Sequence, residues 1–398
     1  MGKRSGSSDV LVIGGGAIGL SIAWRARARG MSVTVLERGV LGGGTSRVAA
    51  GMLAPVAEAE FGDAGRRALD LGLRSAALWP EFAAELEQVS GVELDLLRTG
   101  TLVLARDQDE ARELERQIAF RDALGLPTRR LRASETRDRE PALAPAMRLA
   151  YEAPDDHSVD PRRMLEALCA ACEAVDVELR EHSPAARIEF DAEGRATGAA
   201  LAEGGESLLA DRVVIATGAW SPQLQGGVPV RPVRGQLLRL RDPAGPGMLG
   251  RVVRFEGGYL VPRADGRYVL GATVEERGFD LEPDAGGVYE LLREAHEIVP
   301  GVRELKIEEL CVGLRPGMPD NAPAIGFGER PGLIWAAGHH RNGILLAPIT
   351  ARLVASLLVE SPADADAELL RACDPRRFAP GAPSSAEGAA AGTATVLA

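Results

Sequence analysis

The sequence predicts an α+β fold. One unit is an α/β Rossmann-like domain with a mainly parallel sheet; the other carries a mixed, mainly antiparallel sheet. Three observations lead there. Residues 9–37, "DVLVIGGGAIGLSIAWRARARGMSVTVLE", read as apolar strand, glycine turn, helix and second strand. Two later stretches, 211–221 and 332–360, return to that texture, each an apolar strand ending in small residues. Between them, "YLVPRADGRYVLGAT" reads as a β-hairpin turning at "ADG". The first unit is therefore discontinuous, roughly 8–90, 155–225 and 325–365, and residues 91–154 with 226–324 form the second.

Taken in order, the first strand runs straight into Gly14, Gly16 and Gly19, a G-x-G-x-x-G pattern. Gly14 permits the tight turn, Gly16 a close approach to a pyrophosphate, and Gly19 close packing of helix on strand. The N–H groups that open the helix face the phosphates. Glu37 ends the second strand 18 residues after Gly19. It can accept bonds from ribose hydroxyls and would repel a 2′-phosphate, which argues against NADP. A long loop, "GVLGGGTSRVAAGMLAP", leads to a helix around 64–89. "GTLVLA" is a strand, and Asp107 to Leu124 a charged helix. His157 lies in the loop "DDHSVD", where Asp160 and Pro161 fit the N-cap and first turn of the next helix. That helix, "RRMLEALCAACEAV", carries Cys169 and Cys172 as small apolar packers; a redox or zinc role would need a partner pair or turn that is missing. "GGVYELLREAHEIVP" is a helix and "IEELCVGLRPG" a strand leaving the core. The Ala/Gly/Ser/Pro-rich stretch 379–398 reads as a disordered tail.

Composition narrows the function. A chain of 398 residues, 45% hydrophobic and 26% charged, suits a two-domain soluble enzyme. A net charge of −11 disfavours nucleic acid and acidic membrane surfaces as partners. Of 46 basic residues only Lys3 and Lys306 are lysines, so no arginine is informative without motif context. "MGKRSGSSDV" is no export segment, the run Val10 to Ile13 is too short to span a bilayer, and the four cysteines form no disulfide framework. These point to the cytoplasm. His339 and His340 have no partners at metal-ligand spacing, so no metal site is expected.

The glycine motif alone leaves NAD and FAD open. A cofactor domain that returns near residues 211 and 340 favours FAD, which is long enough to need it, with its adenine end at Glu37.

The segments "VLVIGGGAIGLSIAWRARARG…VTVLER" and "GGGTSRVAAGMLAP" resemble the D-amino-acid-oxidase-like FAD oxidoreductases, and within them the glycine oxidases of thiamine biosynthesis. "DDHSVDPRRML", "VVIATGAWS", "PVRGQLL", "YLVPRADGRYVLGAT", "GLRPGMPDNAPAIG" and "AAGHHRNGILLAP" follow in the same order, so the resemblance spans about Asp9 to Glu360. It implies that Ala17 and Ile18 meet the FAD pyrophosphate and that Glu37 with Arg38 meets the adenosine ribose. Thr45, Ser46, Ala50, Gly51 and Met52 would line the flavin side, and the backbone of Ala185 would meet the adenine. Gly218 joins the cofactor set. The loop His339, His340, Arg341, Asn342, Gly343, Ile344 and Leu345 would wrap the flavin ring. Arg315 would pair with a substrate carboxylate, with Tyr259 closing the pocket. Arg341 is open between substrate, flavin and holding the loop. His340 and Val274 depart from the Phe and Met of relatives, which puts pocket width in doubt.

The chemistry implied is oxidation of an amine to an imine, with FAD as acceptor and O2 reoxidising it to give H2O2. Arg315 suits a carboxylate because its planar fork donates two parallel bonds. The substrate would be glycine, sarcosine or a small D-amino acid, and the FAD non-covalent unless Cys311 attaches it. Family members are often homotetramers, which implies a homo-oligomer. Rival readings are a D-amino-acid dehydrogenase passing electrons to a quinone or carrier, a sarcosine or proline oxidase with a wider pocket, and a silent nucleotide-binding module.

Overall fold

The computed structural model describes residues 7–360 and 363–379. The expected tail beyond Ala379 and the first six residues of the expected export-free start lie outside the described residues.

The strand Ser8–Ile13 sits inside an eight-stranded sheet, between Ser207–Ile215 and Val33–Leu36, parallel to both. Leu333–Ala337 adds to Ser207–Ile215 and Glu178–Arg180 to Val33–Leu36, again parallel. Val33–Leu36 and Leu333–Ala337 are buried along their whole length, as expected of strands covered on both faces. One face carries the helices Ala17–Ala28, Gly62–Ser90, Pro161–Ala174 and Ala347–Leu358, joined in one apolar core. Antiparallel strands complete the sheet: Ala324–Phe327 at one edge, and the meander Ala185–Phe190 and Ala196–Leu201 running off Ser207–Ile215. The sequence reading named neither meander strand.

The second sheet also has eight strands. Its order is Lys306–Gly317, Arg231–Arg241, Arg267–Gly271, Gly258–Pro262, Val252–Phe255, Thr101–Ala105, Leu149–Ala153 and Arg129–Arg132. All neighbours are antiparallel except the pair Val252–Phe255 and Thr101–Ala105. The helix Ala285–Ile298 covers one face through Leu291, Ala295 and Ile298. The α+β class with its parallel-rich first sheet is thus present.

Local signals hold as well. Asp107 caps the helix Gln108–Ala123 by accepting from the N–H groups of Asp109 and Glu110. Asp160 caps Pro161–Ala174 with Pro161 in its first turn. His157 lies just before, in a two-residue strand pairing Met52–Leu53. That helix buries Cys172 and half-buries Cys169, and all four cysteines are free. Among the described residues no helix is long and apolar enough to cross a membrane, and no cluster of His, Cys, Asp or Glu could hold a metal ion.

Candidate active site

A cavity of about 620 Å³ opens between the two sheets, within the range of about 300–1,000 Å³ usual for ligand sites. Its first wall is the glycine turn. Gly14 has φ +112°, and a Cβ there would lie 2.4 Å from the Ala216 carbonyl oxygen. A Cβ on Gly19 would lie 1.8 Å from the oxygen of Gly14. Strand, turn and helix are therefore pressed together, leaving Gly16, Ala17 and Ile18 on the cavity. Gly16 is the N-cap of the helix Ala17–Ala28; it has no side chain to cap the helix with, and no acid stands in the first turn. An acid-free helix start facing a cavity, opened by a glycine, fits a pyrophosphate, so the residues present fit FAD.

Thr45 and Ser46 form the next wall. Ser46 Oγ accepts from the Ala17 N–H at 3.1 Å, and Thr45 Oγ1 donates to the Leu314 carbonyl at 2.9 Å, tying the wall to the second sheet. Ala50, Gly51, Met52 and Gly218 also line the cavity. Gly14, Gly19, Glu37, Arg38 and Ala185 do not. The Glu37 carboxylate accepts from the N–H groups of Gly15 (2.9 Å) and Gly39 (3.0 Å), just behind the turn. Arg38 stacks on Trp220 with its guanidinium 3.9 Å from the ring centre. Ala185 is held near Glu37 by the neighbouring backbone, where the Ser183 N–H donates to the Glu37 carbonyl at 2.8 Å.

The loop after the strand Leu333–Ala337 supplies His339 to Ile344 along the opposite side. Leu345 turns the other way: it packs in the helical core, and its carbonyl accepts from Ser75 (2.6 Å) and Trp79 (2.9 Å). Its side chain and carbonyl thus anchor the loop that was expected to wrap the flavin. His339 Nε2 meets Thr350 Oγ1 at 3.0 Å, and burial pushes its pKa down to about 3. His340 donates its N–H to the Pro316 carbonyl at 2.9 Å; burial, then Arg341 and Arg315, hold its ring at about 4. Both rings are neutral at ordinary pH.

Three arginines line the cavity. Arg254 pairs with Glu58 at 2.7 Å, while Arg341 pairs with Glu58 at 3.0 Å and with Glu60. For Arg341 these pairs fit the holding of the loop, while its place on the cavity wall leaves the substrate and flavin readings open. Glu58 is buried, which works against its charge, but Arg254 and then Arg341 outweigh burial and hold its pKa below the ordinary value. Arg315 differs. Among the described residues it has no carboxylate partner, and Nη1 donates only to the carbonyls of Arg234 (3.2 Å) and Thr273 (3.0 Å). Tyr259 lies beside it; burial raises its pKa against the opposing pull of Arg315, so it stays a protonated donor. Cys311 is not on the cavity and packs instead with Ala50, Leu237 and Val261.

Glu58, Arg254 and Gly235 line the cavity too and were not foreseen. Arg254 is one of many arginines, and Glu58 stands among acids in "AEAEFGD"; no local pattern marks either.

A family model described as FAD dependent oxidoreductase (DAO) matches residues 9–357. The chain is 36% identical over 356 residues to a glycine oxidase of Geobacillus kaustophilus, covering 88% of this chain and 92% of that one. It is also 36% identical over 377 residues to a bifunctional protein ThiO/ThiG of Synechocystis, covering 94% of this chain but about half, 54%, of that relative. The crystal structure of the glycine oxidase from Geobacillus kaustophilus superposes with a TM-score of 0.84 at 34% identity, over 90% of this chain and 96% of that one.

Proposed function

Because this chain belongs to the DAO family of FAD dependent oxidoreductases, we propose that it is a glycine oxidase. It converts glycine, and sarcosine or small D-amino acids, to the imine and thence the 2-oxo acid, with O2 as final acceptor and H2O2 as product. The observation that carries this is Arg315, the one cavity arginine with no carboxylate partner among the described residues, set beside a protonated tyrosine. A carboxylate needs such a fork, and no other lining cation is free to supply it.

When bound, FAD supplies the two-electron acceptor. The helix start at Gly16 and Ala17 would hold its pyrophosphate, Glu37 its ribose, and residues 339–344 its ring. Arg315 donates its outer N–H groups to the substrate carboxylate, and Tyr259 adds a phenol donor. Together they orient the α-carbon. Glu58 is occupied by two arginines, and the histidines, held at about 3 and about 4, are too weakly basic to take a proton from an ammonium, so no lining group is a ready base for it. Activity therefore rises toward alkaline pH, as the free amine form increases.

The likeness to a glycine oxidase and to a ThiO/ThiG protein supports a place in thiamine biosynthesis and O2 in preference to a quinone. Cys311 packed away from the cavity supports non-covalent FAD, and four free cysteines support the cytoplasm. We assign residues 8–90, 155–225 and 325–365 to the FAD domain and 91–154 with 226–324 to the substrate domain, and take the enzyme to be a homo-oligomer. The test is peroxide release by the purified yellow protein from glycine, sarcosine, D-alanine and D-proline. Glycine and sarcosine are expected to yield it. Fast anaerobic bleaching by glycine with sluggish recovery in air would instead make the enzyme a dehydrogenase.

A further inference from the structure

We propose that Glu275, working with Gln236 and Thr273, is a positioning residue that builds a rigid shelf under Arg315 and presets its guanidinium for a carboxylate. The inference rests on the reading of Arg315 as the carboxylate receptor. It gives a role to two segments that the proposed chemistry leaves idle, "PVRGQLL" and the residues just after "YVLGAT".

Arg315 stands opposite Val233 in the neighbouring strand. Its Nη1 donates to two carbonyls from separate segments, Arg234 at 3.2 Å and Thr273 at 3.0 Å. The guanidinium lies across Gly235: a Cβ there would be 2.2 Å from Nη1 and 2.6 Å from Cζ and Nη2. Any side chain at 235 would occupy the space that the fork now fills.

The two carbonyls are held by a polar cluster behind them. The backbones of Arg234 and Glu275 exchange hydrogen bonds at 2.9 and 3.0 Å, and the Thr273 N–H donates to the Gln236 carbonyl at 3.2 Å. Thr273 Oγ1 accepts from the Gln236 N–H at 2.8 Å and donates to Glu275 Oε1 at 2.5 Å. The Gln236 amide donates to Glu275 (2.9 Å) and Asp284 (3.0 Å), and its oxygen accepts from the Asp284 N–H at 2.9 Å. Arg234, wholly buried, pairs with Glu275 and with Asp284 at 3.1 Å, and Arg277 reaches Glu275 at 3.3 Å. Asp284 also caps the helix Ala285–Ile298 through the Gly287 N–H, so the cluster is pinned to a rigid element. Glu275 joins half of these bonds, more than any other residue of the cluster. Networks with nearly every member satisfied hold a single geometry; here Arg234 is wholly buried while Glu275 and Asp284 are partly open. Here the geometry held is that of the two carbonyls that aim Arg315. Only Gly235 and Thr273 of this set reach the cavity, so the remainder acts through Arg315.

The test uses the FAD-loaded enzyme and glycolate, which carries the carboxylate without the amine. Its binding is read from the visible absorbance of the flavin, alongside KM and kcat for glycine. Gly235→Ala needs no left-handed backbone, and the atoms nearest its new Cβ all belong to the Arg315 guanidinium, a side-chain end and not backbone, so the clash falls on that fork. It is expected to raise the glycolate Kd and the glycine KM about 10- to 100-fold, as a misplacement of about 1 Å does, with kcat changed far less. Glu275→Gln shifts both the same way. Added to Arg315→Ala it shifts nothing more, because a residue that works through Arg315 has no effect without it. Wild-type constants in Gly235→Ala and Glu275→Gln, with Arg315→Ala still impaired, overturn the shelf and leave the carboxylate reading standing. So does a Glu275→Gln effect that adds in full to Arg315→Ala. An unimpaired Arg315→Ala overturns both.

Discussion

Arg315 can receive a carboxylate because the other two cavity arginines are already committed to Glu58 and Glu60. Removing it leaves a substrate carboxylate facing carbonyl oxygens. Arg315→Ala should therefore weaken glycine by about 2–4 kcal/mol, seen mainly in KM, the cost of losing one partner of a desolvated charged pair. An unchanged KM would refute the role. The histidines yield a second prediction. Burial holds His339 at about 3 and His340 at about 4, whereas an unfolded histidine titrates near 6.5. Below about pH 6.5 the unfolded chain binds protons that the folded one refuses, so their stabilisation is complete above that pH and drains away as the pH falls toward 4 and then 3. Asp156, pushed up to about 7 by burial, acts in the opposite sense: between about pH 4 and 7 the folded chain holds a proton that the unfolded one has lost. The histidine share is read by difference: from pH 7 to 5 the Tm of His339→Gln should fall less than that of wild type, or rise more, because the variant lacks one group that must be refused a proton. A melting curve indifferent to both pH and that variant would contradict the assignment. Arg315 was legible in the sequence because "GLRPG" carried it. The commitment of Arg341 was not, since its partners lie in a loop about 280 residues earlier.

At the scale of elements, that loop shows where sequence reading stops. Continuous apolar runs such as Val33–Leu36 announce a covered parallel strand, and Asp160 followed by Pro161 announces a helix start, because both signals are local. The meander strands "AARIEF" and "ATGAAL" carry no clean alternation, being covered on some positions and open on others. Residues 56–59 carry no periodic signal at all. They are fixed from far away: Arg121 donates to the carbonyls of Val56 (2.9 Å), Ala57 (2.8 Å) and Ala59 (3.3 Å), and Asp156 accepts from the N–H groups of Val56 and Ala57. Two buried polar side chains, Arg121 and Asp156, thus do for this loop what a sheet ladder does for a strand. They present Glu58 to Arg254 and Arg341. Arg121→Met keeps the volume and strands the carbonyls of Ala57 and Ala59, while that of Val56 keeps the Ala59 N–H. It should cost at least about 2 kcal/mol in urea unfolding, since buried acceptors without donors are expensive. Unaltered unfolding would show that the loop holds itself.

For the whole molecule, the cavity walls come from both sheets, the glycine turn and residues 339–344 on one side and Gly235, Arg254, Tyr259 and Arg315 on the other. A ligand filling it binds only the folded chain and stabilises the folded state by mass action, about 2.7 kcal/mol when present at 100 times its Kd. FAD-free protein should melt lower, and its Tm should climb with added FAD. Gly16 decides whether the ligand sits where the glycine turn implies. Its φ is outside the left-handed region, and a Cβ there would meet nothing within 4 Å except Ser46 Oγ at 3.2 Å. Gly16→Ala therefore disturbs the protein's own packing only at Ser46 Oγ and sets a methyl on the cavity wall at the helix start. Gly14→Ala is the poorer experiment, because its Cβ would strike the Ala216 carbonyl and damage the turn itself. The expected pattern is an FAD-free Tm equal in Gly16→Ala and wild type, with the FAD-induced rise shrunken or absent in the variant. Equal rises in both would mean that the pyrophosphate does not approach the backbone at residue 16, and that the cofactor enters this cavity from another side.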